Sequence, residues 1–374
     1  MPRQATPPSS VALSAVVLAA GEGTRMRSER PKPLHRLCGR PMVLHVLYAL
    51  AELDLERAVV VVGHGGAWVT KAVAEQPPPG LHLDFVEQRV QRGTGDAVLV
   101  ALTAFPDDVD DGDIVILPGD TPLLRPPTLA TLVRAHRRSD AAATILTARL
   151  ANPGGYGRVV RDKGGRAARI VEQAEATEDE LAVDEVNTSI YVFRRSVLAP
   201  ALRRLTPDNT QGEYYLTDTI AVLHDAGYPV ETLVVDDPME AAGVNDRHQL
   251  AVAEAELRDR INERWMRRGV TMVDPEQTYI DTTVELSADV VLYPGTHLQG
   301  STVVEGGAEL GPTTQLSDCT VGAHAVVTAT IGRNAAIGAD AQVGPWAYLP
   351  PGTKIAAGSV TGPCFTGGVD AGQD

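Results

Sequence analysis

The sequence predicts an α/β domain with a mainly parallel, doubly covered sheet, followed by a parallel β-helix. Three observations carry this prediction. A short apolar strand at residues 16–18 breaks into a glycine turn followed by cations. Strand-like runs then alternate with helix-like segments to about residue 248. Beyond residue 271 apolar residues recur every six positions, a period that neither an amphipathic helix nor a sandwich sustains.

The first strand holds Val16, Val17 and Leu18, an apolar run of the kind buried in parallel sheets. It breaks at Ala19-Ala20-Gly21-Glu22-Gly23, where small residues let the backbone turn and approach a bound group. Arg25 follows, and Lys32 stands eleven residues after Gly21, between Pro31 and Pro33. Amide N–H groups in such a turn form an anion-binding concavity, and the cations neutralise outer charges, so the stretch suits a polyphosphate. A dinucleotide fingerprint is excluded because Met26 stands where a third glycine belongs. Lys32 also lacks the GxxxxGK[ST] context of an ATPase phosphate loop.

Downstream, residues 42–53 have helical apolar spacing, 58–62 form a β-branched strand ending in Gly63-His64-Gly65-Gly66, and 81–86 alternate as a strand. Residues 113–117 and 142–146 are further strands flanking a helix at 128–136. His64 reads as a loop residue. Ligands of such sheets sit beyond the carboxyl ends of the strands, so the polar residues there are the candidates. Gln88 leads into Gly93-Thr94-Gly95; its amide offers a donor and an acceptor to a base edge, although the segment reads equally as a surface loop. Asp120, behind Pro118-Gly119, is placed for a hard divalent cation or, equally, for a helix N-cap or turn. Gly157 lies in a hairpin-like loop, Glu172 ends a strand with a carboxylate able to accept from hydroxyls, and Asn187 precedes a strand at 190–193. Asn245 offers a neutral oxygen as a second metal ligand.

At 374 residues the chain has room for two or three domains, and 44% apolar with 22% charged residues is a globular composition. A net charge of −15 speaks against nucleic-acid or anionic-membrane partners, so local cations have to hold any phosphate. Three widely spaced cysteines, Cys38, Cys319 and Cys364, offer neither a disulfide framework nor metal spacing, which points to the cytoplasm. Arg3 ahead of the apolar run 11–20 imitates a signal peptide, but the glycine turn continues directly out of that run, so it reads as the first strand. No stretch reaches the roughly 20 apolar residues of a membrane span. Residues 1–10, rich in Pro and Ser, read as a disordered tail.

Residues 245–269 have amphipathic helical spacing, with Leu250, Leu257, Ile261 and Trp265 on one side, and 249–270 are assigned as a helix linking two domains. Ile280, Leu286, Leu292, Leu298, Val304, Leu310 and Leu316 then recur every six residues. The phase slips near Val321 and resumes at Ile331, Ile337, Val343, Leu349 and Ile355. Glycine follows the apolar residue at Leu310, Val321, Ile331, Ile337 and Val343. In such a β-helix one apolar residue per short strand faces inward and small residues turn the corners; residues 271–360 give four or five coils. Residues 361–374, glycine-rich and without the repeat, read as a tail.

The segments LAAGEGTRM (18–26), PKPLH (31–35), RGTGDA (92–97), PGDTPLL (118–124), GYGRVV (155–160), IVEQ (170–173), VNTSIY (186–191), QGEYYLTD (211–218) and GVNDR (243–247) occur in one order. Together they resemble bacterial N-acetylglucosamine-1-phosphate uridylyltransferases of the GlmU type, over roughly residues 13–360. The resemblance implies an α/β Rossmann-like nucleotidyltransferase domain at 11–248 followed by a left-handed parallel β-helix of hexapeptide repeats. It implies that Leu18, Ala19, Ala20 and Gly21, with Arg25 and Lys32 as catalytic cations, hold the phosphates of UTP. Gln88, Gly93 and Thr94 would read uracil, Asp120 and Asn245 would bind Mg²⁺, and Gly157, Glu172 and Asn187 would hold N-acetylglucosamine 1-phosphate. The implied reaction gives UDP-N-acetylglucosamine and pyrophosphate, for cell-wall precursors.

Two departures, Pro118 where the family often has tyrosine and Ser189 where NTG is usual, bear on substrate tuning more than on chemistry. In the family the β-helix forms trimers and its later coils transfer an acetyl group. Here Pro350-Pro351 stands where the family has a sugar-phosphate-binding arginine, and the segment with the acetyltransferase lysine, histidine and CoA contacts is missing beyond Val360. The expectation is therefore no acetyltransferase activity, with a homotrimer through the β-helix left open. Two rivals also stay open: another hexose 1-phosphate or nucleotide as substrate, and a non-catalytic paralogue whose β-helix is an assembly platform.

Overall fold

The computed structural model describes residues 11–105 and 112–368, so the tail expected at 1–10 lies outside the described residues. The chain forms two compact units. The first takes in residues up to His35 together with Pro41–Leu250; the second takes in Arg36–Arg40 and everything from Ala251.

A nine-stranded sheet organises the first unit. Its strands are β1 (Leu13–Ala19), β2 (Arg57–Val62), β3 (Leu83–Glu87), β4 (Asp113–Pro118), β5 (Ala143–Arg149), β6 (Arg158–Arg161), β7 (Ala167–Val171), β8 (Glu185–Arg194) and β9 (Val230–Val234). They lie in the order β9-β5-β8-β4-β1-β2-β3, with β6 paired to β8 and β7. β1 runs parallel to both neighbours, β2 and β4, and every residue of it but Leu18 is buried. Its alternation supplies two cores. Ala15 and Val17 pack on one face with the helices Met42–Ala51, Gly66–Glu75 and Pro126–Ser139. Val16 packs on the other with the helices Thr94–Leu102, Arg195–Leu202 and Asp218–Asp225. Two covered faces explain why the strands read as continuous apolar runs.

The sheet is mainly parallel, as expected, with an antiparallel part that the sequence did not show. β8 is antiparallel to both β4 and β5, and β6 and β7 form an antiparallel hairpin. The chain leaves β5 through that hairpin and returns along β8 without the long crossover that parallel pairing requires. Among the described residues no helix is long and apolar enough to cross a membrane.

The helix Arg247–Met266 carries the chain from one unit into the other, and its Ile261 and Trp265 are buried with Val270, Met272 and Ile280. The segment Arg36–Arg40 joins the same unit: Cys38 N–H donates to Glu254 Oε2 at 2.9 Å, and Thr282 N–H to Cys38 O at 3.0 Å. Three parallel sheets of five short strands follow, the three walls of a left-handed β-helix. Inward residues stack in three ladders. Leu292, Leu310, Val327 and Val343 form one, and Leu286, Val304, Val321, Ile337 and Ile355 another.

The third ladder corrects the phase read from the sequence. It runs Ile280, Leu298, Leu316, Gly332, Leu349, so Gly332 and not Ile331 points inward, and Ile331 is 45% exposed. The rungs between Leu316 and Val321, Val327 and Gly332, and Gly332 and Ile337 are each five residues long, one short of the repeat. Corners depend on left-handed residues three places before the inward position. Asp289, Thr313, Asp318, His324, Asn334 and Asp340 take φ between 44° and 65° there. After glycine, Asn and Asp reach this conformation most readily. Buried threonines complete several corners by donating to backbone carbonyls, as Thr296 does to Tyr293 O at 2.7 Å and Thr302 to Gln299 O at 2.6 Å. Of the segment expected as a tail, residues 361–368 are described and extend the coil: Val360 bridges Gln342, Thr366 bridges Tyr348, and Phe365 packs on the core.

Candidate active site

The carboxyl ends of β1 and β4, and the loop that follows β3, open onto one cavity of about 280 Å³. Leu18, Ala19, Ala20, Gly21, Lys32, Gln88, Gly93, Thr94 and Asp120 all line it. The turn after β1 is held tightly. Gly119 N–H donates to Leu18 O at 2.9 Å, and a Cβ placed on Gly63 would sit 2.4 Å from the Ala20 carbonyl oxygen. Only glycine at position 63 lets the turn keep this path.

Two short 3₁₀ turns, Thr24–Met26 and Lys32–Leu34, bring the cations in. Lys32 Nζ donates to Asn245 Oδ1 at 2.8 Å and forms an ion pair with Asp120 Oδ2. Arg25 Nη2 donates to the same Asn245 oxygen at 3.0 Å. Val244 N–H donates to Asp120 O at 2.9 Å and fixes the two loops together. Arg25 and Asn245 are thus part of the cluster without lining the cavity itself. The oxygens of Asp120 and Asn245 converge on one point, the ammonium of Lys32. One carboxylate and one amide oxygen fit a small divalent cation that takes its remaining ligands from phosphate and water.

On the base side Gln88 differs from expectation. Its Nε2 donates to Gly93 O at 3.1 Å and to Asp96 Oδ2 at 2.8 Å, which uses both amide hydrogens. Gln88 therefore offers an acceptor only. The Thr94 hydroxyl accepts from Leu216 N–H at 3.0 Å, which fixes it while leaving its own O–H as a donor. Gly93 has φ +104°, and a Cβ there would lie 2.6 Å from Tyr214 O. Tyr214 N–H donates to Arg92 O and Gly95 N–H to Tyr214 O, each at 2.8 Å, so the segment 211–218 braces this loop.

Gly157, Glu172 and Asn187 form a second group on β6, β7 and β8 and lie outside the cavity lining. Asn187 N–H donates to Gly157 O at 2.9 Å, and a side chain on Gly157 would meet both Glu172 carboxylate oxygens at 3.5 Å. Burial pushes the Glu172 carboxyl above its ordinary range; a Thr217 hydrogen bond opposes this, and Asp218 and Glu175 add to it. Ser189, in a left-handed bulge of β8, donates its N–H to Asn187 Oδ1 at 3.1 Å and itself lines the cavity, so it connects the two groups. Burial and then the Asp120 charge raise the Tyr156 phenol, another sign that the groups adjoin.

Sequence reasoning missed Gln91, whose Nε2 donates to Ala20 O at 2.6 Å, and Glu213 on the cavity wall, and it marked Ser189 only as a departure beside the site. Gln91 lies three residues after Gln88 in an irregular loop, where no periodicity marks a side chain as inward.

A family model described as a MobA-like NTP transferase domain matches residues 15–224. The bifunctional protein GlmU of Thermobifida fusca is 48% identical over 322 residues, which are 86% of this chain and 66% of that protein. The bifunctional protein GlmU of Mycolicibacterium vanbaalenii is 48% identical over 348 residues, 93% of this chain and 70% of the relative. That of Desulfitobacterium hafniense is 45% identical over 342 residues, 91% and 73% respectively. The chain therefore spans 66% to 73% of the length of these relatives. A domain match over residues 15–224, which takes in all or most of eight of the nine strands, and identity that continues into the β-helix, make the chain a nucleotidyltransferase of the GlmU family.

Proposed function

We propose that the chain transfers UMP from UTP to N-acetylglucosamine 1-phosphate, releasing pyrophosphate and forming UDP-N-acetylglucosamine for cell-wall synthesis. One observation carries the reading: the turn after β1, Lys32, Asp120 and the loop of Gln88 and Gly93 share the walls of a single cavity. Leu18, Ala19, Ala20 and Gly21 receive the nucleotide phosphates at their backbone. Lys32 and Arg25 neutralise them; Gln88, Gly93 and Thr94 hold the base. Gly157, Glu172 and Asn187 hold the sugar, with the Glu172 carboxylate accepting from a hydroxyl.

The acceptor phosphate is already ionised, so in-line attack on the α-phosphorus needs no protein nucleophile or strong base. The barrier is the repulsion and alignment of two anions, and the cations of the site act on both. Asp120 and Asn245 are the residues that would hold Mg²⁺, which supplies charge neutralisation at the phosphates when bound.

Three accompanying readings belong here. Cys38, Cys319 and Cys364 are free thiols, which supports a reducing, cytoplasmic setting. The exposed column of Tyr279, Ile331 and Tyr348 on one wall of the β-helix supports a homotrimer, which sedimentation tests. The internal departure at Pro350-Pro351 supports the absence of acetyl transfer; release of free CoA from acetyl-CoA with glucosamine 1-phosphate would contradict it.

The test of the main reading is pyrophosphate release from a panel of nucleotides and sugar 1-phosphates, with and without Mg²⁺. Turnover confined to UTP with N-acetylglucosamine 1-phosphate is the expected result. Turnover with a different hexose 1-phosphate shifts the substrate, and none with any pair refutes the assignment.

A further inference from the structure

We propose that Asp96 is a specificity-determining positioning residue that locks the Gln88 amide with its oxygen toward the base, so that the site selects uracil over cytosine. The proposal rests on the uridylyl reading above. Gln88 and Asp96 are 5% and 7% exposed, so neither can exchange its partner for bulk water. Gln88 Nε2 meets two atoms that only accept, Asp96 Oδ2 and Gly93 O. A flipped amide would set its oxygen against both, three acceptors with no hydrogen among them, and such buried clashes are costly. Asp96 is itself fixed, because its other oxygen is paired with Arg92 Nη2 at 2.9 Å.

The consequence falls on the base. Uracil presents an N3–H donor beside its O4 acceptor, and this pair matches the Gln88 oxygen together with the backbone N–H of Thr94, the first residue of the helix Thr94–Leu102. Cytosine reverses the pair, with an N3 lone pair beside an amino group, so N3 would face the Gln88 oxygen with no hydrogen between them. Sites built around a fixed polar group reject the mismatched analogue strongly.

The experiment compares UTP with CTP in the full chain, both as kcat/KM for pyrophosphate release with N-acetylglucosamine 1-phosphate and as Kd by calorimetry. Asp96→Ala frees the amide to turn, and the UTP-to-CTP ratio is expected to fall at least about tenfold. Asp96→Asn keeps an oxygen for Gln88 and holds the ratio within about threefold of the original. A ratio does not depend on the folded fraction, so partial misfolding leaves the comparison intact. An unchanged ratio in Asp96→Ala overturns the proposal, as does an unmodified protein that fails to distinguish the two nucleotides. Selective UTP binding that Asp96→Ala abolishes, without turnover on the sugar phosphate, supports this proposal and refutes only the functional reading.

Discussion

Replacing Lys32 by alanine is the most direct perturbation of the charge argument. Its ammonium is 13% exposed, donates to Asn245 and pairs with Asp120, so it lies at the junction of the cavity and the candidate metal oxygens. At an effective dielectric of about 20, two unit charges about 4 Å apart interact by about 4 kcal/mol. Part of that attraction is already present with bound substrate and does not speed the reaction; only the increment on charge developing in the transition state does. Allowing about 3 kcal/mol for that increment gives a loss of roughly a hundredfold in kcat. Pyrophosphate release at saturating UTP reads it. Arg25→Ala, at a more exposed contact, is expected to lose less, about tenfold. A Lys32→Ala enzyme with kcat within about fivefold of the original, or one changed in KM alone, would refute the reasoning.

The remaining predictions follow from other contacts. Asp120→Asn removes the only formal negative charge among the two candidate metal oxygens, and a titration of rate against Mg²⁺ is expected to shift to at least about tenfold higher concentration; an unmoved curve contradicts the assignment. Gly63→Ala drives a Cβ to 2.4 Å from Ala20 O, so kcat/KM for UTP is expected to fall more than about tenfold while circular dichroism shows a folded protein. The raised Glu172 carboxyl holds its proton to higher pH in the folded than in the unfolded chain, whose ordinary value is 4.5. Its contribution to stability is present below that value and lost as pH rises through the folded one. Glu172→Gln should therefore gain Tm relative to the original above that window and not below it, while losing sugar binding; equal differences at all pH values would count against it. In the β-helix, Ile331→Ser is expected to cost under about 0.5 kcal/mol and Leu316→Ser several, by chemical denaturation. The reverse order would restore the six-residue phase.

How far the fold could be read depended on how local its determinants are. β1, β2 and β4 announce themselves because both faces are covered and, apart from Ser14, Arg57 and Asp113 at or near their starts, every residue is apolar. The inward ladder of the β-helix is equally local while the rung stays six residues long. At the shortened rungs the repeat no longer says which of two neighbours points inward, and apolar Ile331 is the natural but incorrect choice over Gly332. That choice is settled by the stack, in which Gly332 lies between Leu316 and Leu349, residues 16 and 17 positions away. The direction of β8 was hidden for a related reason: a strand carries no mark of its polarity relative to neighbours, and only the hairpin β6–β7 decides it. The capture of Arg36–Arg40 by the second unit is more remote still, since its partners are Glu254 and Thr282.

The candidate site divides along the same line. Residue types that chemistry demands could be named from their strand ends, because a carboxylate, an ammonium and a glycine turn have few substitutes near phosphate. What each side chain has left to offer a ligand could not, because that depends on partners already taken within the fold. Gln88 is the clearest case: as a letter it promises a donor and an acceptor, and in place it keeps only the acceptor, because Asp96 and Gly93 hold the other end. Thr94 likewise has one acceptor position taken by Leu216 N–H, which leaves its hydroxyl as a donor. Lys32 shows the same, since as a letter it promises a free cation and in place it is already bonded to Asp120 and Asn245, the two proposed metal ligands. The buried Gln88–Asp96 contact is thus the one expected to govern selectivity, and the Lys32 contacts the ones expected to govern rate. A base-recognition change should therefore come from altering Asp96, and a rate change from altering Lys32, with little crossover between the two.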